Sequence, residues 1–268
     1  MRRRVTYALN AATSFSGVQN DVTSARWKCS WIEKVPAQNV MATRICEKKE
    51  LRGKNHVFKD RVEAGWMLAE MLAPEYKAAQ DAMVLAIPSG GVPVGLEVKS
   101  KLNFNFDLII ARKIPIPHNP EAGYGAVTLE GGVFLNEELV SRLGLSPSQI
   151  ENHITQLKKE LEERQTLFRG KKPFPDLSGK TAILVDDGLA SGYTMMASVH
   201  SAKNMGAKEI VVAVPTAPPE TIEKLEPMVD EIYCPNVREK IFFAVADAYE
   251  HWYDLTREEV LDLLAEKA

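Results

Sequence analysis

Apolar positions along the chain fall into two alternating patterns. Short, mostly apolar runs occur at Met83–Ile87, Asp107–Ala111, Ala182–Asp186, Ile210–Val214 and Glu231–Cys234, with an acid only at an end of three of them. Runs of this length and aliphatic content read as strands buried on both faces, as in a parallel sheet. Between them apolar residues recur at helical spacing: Val62, Trp66, Ala69 and Leu72, then Ile150, Ile154, Leu157 and Leu161, then a segment from Met195 to Met205. Strands alternating with helices predict an α/β fold, a doubly wound, mostly parallel sheet flanked by helices.

Local punctuation sharpens the boundaries. Asp60 is placed to cap the first helix, with Glu63 completing a capping box, and Ala73-Pro74 is expected to close it. Trp66 and Met67 read as core positions of that helix. Ser146 with Pro147 opens a long helix to about Phe168, and Thr256 with Glu259 opens a last one through Leu264. Gly125–Leu129 and Val133–Leu135 flank Glu130-Gly131-Gly132 as a hairpin. Residues 114–125 hold three prolines and two glycines, which predicts an irregular loop or lid. Residues 1–55 show neither period. They are expected to form a basic, flexible N-terminal extension, with one folded domain over 56–268.

Composition narrows the classes. Of 268 residues 45% are hydrophobic and 26% charged, and the net charge is −3, which argues against generic nucleic-acid binding. Charge is uneven: residues 1–59 carry 12 Lys/Arg against 4 Asp/Glu, leaving a balance of −11 for the remainder. Cys29, Cys46 and Cys234 form neither a disulfide framework nor a zinc motif, so a reducing, cytoplasmic setting is expected. No run approaches the ~18 apolar residues of a membrane span, and no apolar stretch follows Arg2-Arg3-Arg4 to make a secretory signal.

The densest chemistry lies at 181–194. A buried strand ends in Asp186-Asp187, then a turn of small and hydroxyl residues leads into a helix. Glycines at 188 and 192 permit positive φ and close backbone approach, and the helix start offers free amides to an anion. Carboxylates beside a phosphate cradle repel phosphate, so they suit sugar hydroxyls. The set fits a phosphorylated sugar at the mouth of an α/β crevice. A P-loop is excluded: Gly179-Lys180-Thr181 lacks the upstream glycine, with Phe174 in its place, and precedes a strand. A second strand–glycine–helix turn at Ser89-Gly90-Gly91 makes another anion cradle, and Arg112-Lys113 is a cation pair at a strand end.

Ile183 to Thr194 resembles the phosphoribosyl pyrophosphate (PRPP) signature of type I phosphoribosyltransferases: aliphatics, two acids, small residues, a hydroxyl-glycine pair and a threonine. Pro88-Ser89-Gly90-Gly91, Arg112-Lys113 and Phe58-Lys59-Asp60-Arg61 extend the likeness over roughly 56–268 and point to a less characterised group of the family. Ser191 stands where the signature usually has Thr, and Tyr193 is bulkier than the common residue. Ala190 occupies a position where 6-oxopurine enzymes carry a catalytic Asp, which is similar to the adenine and orotate branches. Relatives carry Arg where this chain has Ser89, so a phosphate-gripping cation is missing there.

The resemblance implies transfer of the 5-phosphoribosyl group from PRPP to a nitrogenous base, with pyrophosphate released. It assigns Asp186 and Asp187 to the ribose hydroxyls, and the backbone of Ala190, Ser191, Gly192, Tyr193 and Thr194 to the 5′-phosphate. Ser89, Gly90 and Gly91 would hold the pyrophosphate, while Arg112 and Lys113 would neutralise it, with Lys113 counted as catalytic beside the two acids. Mg²⁺ would enter on PRPP, without a protein cage. His118 and Glu121 are ionisable candidates in the covering loop, and Trp252 or Tyr253 could stack on a planar acceptor. A homodimer agrees with the family habit, and no membrane partner is implied. Two rivals stay open: a regulator that binds PRPP or a nucleotide without turnover, and a metal-dependent phosphoesterase.

Overall fold

The computed structural model describes residues 43–79, 81–117, 119–239 and 243–267, without the side chains of Pro120 and Glu121. Six parallel strands form the central sheet: β1 (Arg44–Cys46), β2 (Ala82–Ala86), β3 (Asn105–Leu108), β7 (Thr181–Val185), β8 (Glu209–Ala213) and β10 (Glu231–Tyr233). Their spatial order is β1-β10-β8-β7-β2-β3. The register is in step from Ala86 through Val185 to Ala213, so β2, β7 and β8 end level. A separate antiparallel sheet is made by β4 (Ala111–Ile116), β5 (Asn119–Thr128) and β6 (Val133–Leu135). A short parallel pair joins β9 (Thr216–Ala217) to β11 (Asn236–Val237).

Burial on both faces explains why β7 is apolar throughout. Ile183 and Val185 face α1 (Arg61–Tyr76) and α2 (Gly91–Leu102), packing with Leu68, Leu72, Val94 and Val98. Ala182 and Leu184 face α5 (Tyr193–Asn204) and α6 (Pro219–Leu225), packing with Met195, Val199, Ile222 and Leu225. A helical layer covers each face, as the doubly wound expectation requires. Two more helices, α3 (Glu137–Leu143) and α4 (Pro147–Arg169), follow the antiparallel sheet, and α7 (Arg257–Lys267) ends the chain. Ile154, Leu157 and Leu161 of α4 close a third cluster with Ile114, Tyr124 and Val127.

The helix starts follow the caps read from sequence. Asp60 accepts from the amides of Val62 and Glu63, Ser146 and Gln149 form a reciprocal box, and so do Thr256 and Glu259. Glu63 closes on the amide of Lys59, one residue earlier than a capping box requires. The hairpin at 125–135 is present, with Val127 opposite Val133.

Five expectations are corrected. β3 ends at Leu108, and Ile109-Ile110 carries the chain out of the central sheet, so Arg112 and Lys113 lie inside β4 and not at a core strand's edge. Residues 114–116 and 119–125 extend that antiparallel arm, with its register shifted on either side of Pro115. Helix α1 runs two residues past Pro74 to Tyr76, and Trp66 is 45% exposed, its indole donating to Glu97. Arg44–Cys46, expected in the extension, pairs with β10 as an edge strand. Residues 1–42 of that extension lie outside the described residues.

Candidate active site

The level ends of β2 and β7 set the site. β7 delivers Asp186 and Asp187, and β2 delivers the turn 88–91 beside them, with a cis peptide bond between Pro88 and Ser89. The turn and the acids touch. A Cβ added at Gly90 would lie 1.9 Å from Asp187 Oδ2, and one at Gly91 would lie 2.6 Å from the Val185 carbonyl oxygen. Only glycine lets two strand-end loops approach this closely.

Beyond the acids the chain wraps a pocket of about 140 Å³ lined by Lys113 and residues 188–194. Gly192 has φ +74°, and a Cβ there would meet Thr221 Cγ2 at 2.5 Å. Helix α5 starts at the next residue with no side-chain cap, so its first amides face the pocket end of the helix dipole. Thr221 Oγ1 donates to the Ala190 carbonyl at 2.6 Å, and the Leu189 amide donates to Thr216 O at 2.9 Å. Those two bonds fix the loop from the α6 side. From the other side, Tyr193 is buried, stacks on Phe134 at 5.5 Å and accepts from Asn136 Nδ2 at 2.6 Å. Its side chain therefore braces the antiparallel sheet.

Charge at the acids is unevenly shared. Burial raises Asp186 well above the ordinary carboxylate range, and the charge of Asp187 adds to this. Asp187 is also raised by burial, but Arg61 pulls it back. Asp186 Oδ1 accepts from the Asp187 amide at 2.9 Å. Arg61 Nε donates to Asp187 Oδ2 at 2.9 Å, while Arg61 Nη1 donates to the Tyr253 carbonyl at 2.9 Å. The guanidinium lies 4.0 Å from the centre of the Trp252 ring, within cation–π range. Tyr249, buried, donates its hydroxyl to the Asp187 carbonyl.

The structure thus gathers Ser89, Gly90, Gly91, Asp186, Asp187, Ala190–Thr194 and Lys113 around one crevice. It does not bring Arg112 with them. Neighbouring residues of a strand point to opposite faces, and Arg112 Nη2 pairs with Glu160 of α4 at 2.7 Å. Trp252 packs on Arg61 and Tyr249, so one ring expected to stack on an acceptor has a structural occupant. Tyr253 is 56% exposed. His118 and the Glu121 side chain lie outside the described residues. Arg61, Thr221 and Tyr249 were not singled out as site residues from sequence. Arg61 left two signals: it closes the Phe58-Lys59-Asp60-Arg61 motif, and a cation in the first turn of a helix has the wrong sign for the dipole, which points to a tertiary reason.

Among the described residues, no group of three or more His, Cys, Asp or Glu side chains comes together to hold a metal, and no helix is long and apolar enough to cross a membrane. Cys46 and Cys234 are free thiols.

Residues 127–250 match the family model of the phosphoribosyl transferase domain. A Mycobacterium tuberculosis protein named "putative phosphoribosyl transferase" is 33% identical over 208 residues, 78% of this chain and 46% of that protein. The uracil phosphoribosyltransferase of Acinetobacter baylyi is 32% identical over 119 residues, 44% of this chain and 50% of that enzyme. This chain therefore spans about half the length of the curated relatives it matches. The crystal structure of TT1426 from Thermus thermophilus superposes with a TM-score of 0.65 at 35% identity, covering 79% of this chain and 99% of that one. With the acid pair, the paired glycine turns and these likenesses together, the chain belongs to the type I phosphoribosyltransferase family.

Proposed function

We propose that the chain transfers the 5-phosphoribosyl group of PRPP to a nitrogenous base. The bond from C1 to the pyrophosphate oxygen breaks, a bond from C1 to a base nitrogen forms, and pyrophosphate leaves with the electron pair while the base gives up a proton to solvent. One observation carries the reading: the Asp186-Asp187 pair, the 88–91 turn and the uncapped start of α5 meet around one crevice. The acids would accept from the ribose hydroxyls. Amides of 190–194 would hold the 5′-phosphate, and Ser89 to Gly91 with Lys113 would receive the pyrophosphate. Positioning and charge neutralisation would do most of the catalysis, because an oxocarbenium-like ring needs little covalent help.

Mg²⁺ fits as a cation carried in by pyrophosphate oxygens and water, since the donor set among the described residues offers no cage. When bound it would supply charge neutralisation on the leaving group. Ala190, exposed on the loop, leaves no carboxylate where a 6-oxopurine enzyme has one, which favours another base class. A reducing, cytoplasmic setting agrees with the free thiols, and we read the catalytic unit as starting near residue 43.

Incubation with PRPP, Mg²⁺ and a panel of bases, with pyrophosphate measured, tests the reading. Release that depends on one base supports it. PRPP binding without release identifies a sensor, and phosphate release from phosphate esters without any base identifies a phosphoesterase. Asp187→Asn is expected to abolish PRPP-dependent turnover, and unchanged turnover would refute the assignment.

A further inference from the structure

We infer that Arg61 is a positioning residue for the acid pair, seating Asp187 against the 88–91 turn and tying that seat to the docked C-terminal segment. The inference rests on the phosphoribosyl reading for its link to substrate, though not for its geometry. Arg61 is 7% exposed and has four tertiary engagements: Asp187 Oδ2, the Tyr253 carbonyl, the Trp252 ring and, at 5.9 Å, the Tyr253 ring. The carboxylate oxygen it holds is the one facing Gly90, where a Cβ would come within 1.9 Å. Asp187 therefore cannot swing toward the turn, and cannot swing away without leaving its cation.

The Arg61 clamp is itself anchored. Residues 56–59 run beside 247–251: the amides of Val57 and Phe58 donate to Ala248 O, and those of Glu250 and His251 donate to Phe58 O and Lys59 O. Phe58 and Tyr249 pack ring to ring at 5.6 Å, and Tyr249 meets Trp252 at 5.2 Å. The segment that presents Trp252 thus hangs from the strand-like stretch that immediately precedes Arg61. Charged and titratable groups around Asp187 are Asp186 on its own loop, Arg61 from α1 and Tyr249 from the C-terminal segment, with Arg238 acting on Tyr249 and Lys113 lining the adjoining pocket.

Arg61→Met, Arg61→Lys and Trp252→Leu test this in the full chain with two measurements. The first is a ¹³C-carboxyl titration of Asp186 and Asp187 without ligand. The second is calorimetric PRPP binding with Mg²⁺ as a function of pH. Arg61→Met is expected to move the titration of the pair to higher pH and weaken PRPP binding at pH 7 roughly 10- to 100-fold, as loss of a charged hydrogen bond does. Arg61→Lys should recover most of the titration, and Trp252→Leu should shift it in the same direction by less. A folded Arg61→Met that titrates like the parent overturns the inference. If Arg61→Met does not fold, an unshifted Trp252→Leu overturns it and a shifted one supports it. Should the parent fail to bind PRPP while the titration shifts as described, the phosphoribosyl reading falls and the positioning role stands.

Discussion

Arg61 and Asp187 are 126 residues apart in the chain, and the guanidinium Nε of one lies 2.9 Å from the carboxylate Oδ2 of the other. Their side chains are 8% and 13% exposed, so the pair is little screened by water. Breaking a pair of this kind leaves a buried charge without compensation, which makes the ion pair matter more to the site than any surface contact.

Lys113 and Arg112 should separate cleanly in kinetics. Lys113→Ala is expected to lower kcat/KM for PRPP by about 10- to 100-fold, the range for losing one hydrogen bond to a charged group. Arg112→Ala should stay within about threefold, because its partner Glu160 is an exposed residue of α4 and such pairs are worth about 0–1 kcal/mol. Equal losses in the two variants would mean that Arg112 turns into the crevice.

Gly90→Ala places a methyl against Asp187 Oδ2, which Arg61 prevents from moving aside. Overpacking of this kind costs about 1–3 kcal/mol. Urea unfolding should register that cost, and PRPP affinity should fall in the same variant; a neutral Gly90→Ala would show that the turn can retreat.

Asp186→Asn should stabilise the unliganded protein while removing sugar binding. Burial holds the folded carboxyl's pKa above its unfolded value, so its favourable contribution exists while it is protonated and is lost as pH rises through the raised pKa. At pH 7 the variant should therefore melt above the parent, and the gap should close as the pH is lowered. Calorimetry at pH 7 and pH 5 reads this directly, and a gap that widens on acidification would contradict it.

Thr221→Val keeps the methyl that touches Gly192 and removes the hydroxyl that donates to Ala190 O. The expected loss of stability is about 1 kcal/mol. KM for PRPP should rise more than kcat falls, since the loosened element is the proposed phosphate loop.

Much of the architecture was legible because its cues are local. Mostly apolar runs marked β2, β7, β8 and β10 to within a residue or two, and Asp60, Ser146 and Thr256 announced their helices because a cap's partners lie two or three residues away. The arm at 111–135 was half legible. Its distal hairpin has a glycine turn, while its proline-rich half has a loop's composition and a strand's conformation, imposed by the partner across the ladder. Arg112 and Lys113 read as one cation pair, yet a pleated strand sends adjacent side chains to opposite faces, and neither neighbour reveals which face is the crevice.

By itself the sequence determined the alternating layers, the two glycine turns and the acid pair, since each depends on residues within a few positions of one another. Tertiary structure alone decided that Arg44–Cys46 joins the sheet, that Tyr193 braces the antiparallel arm, and that Arg61 serves Asp187. Those are meetings between distant segments, and their energies arise only after packing has removed water from both partners.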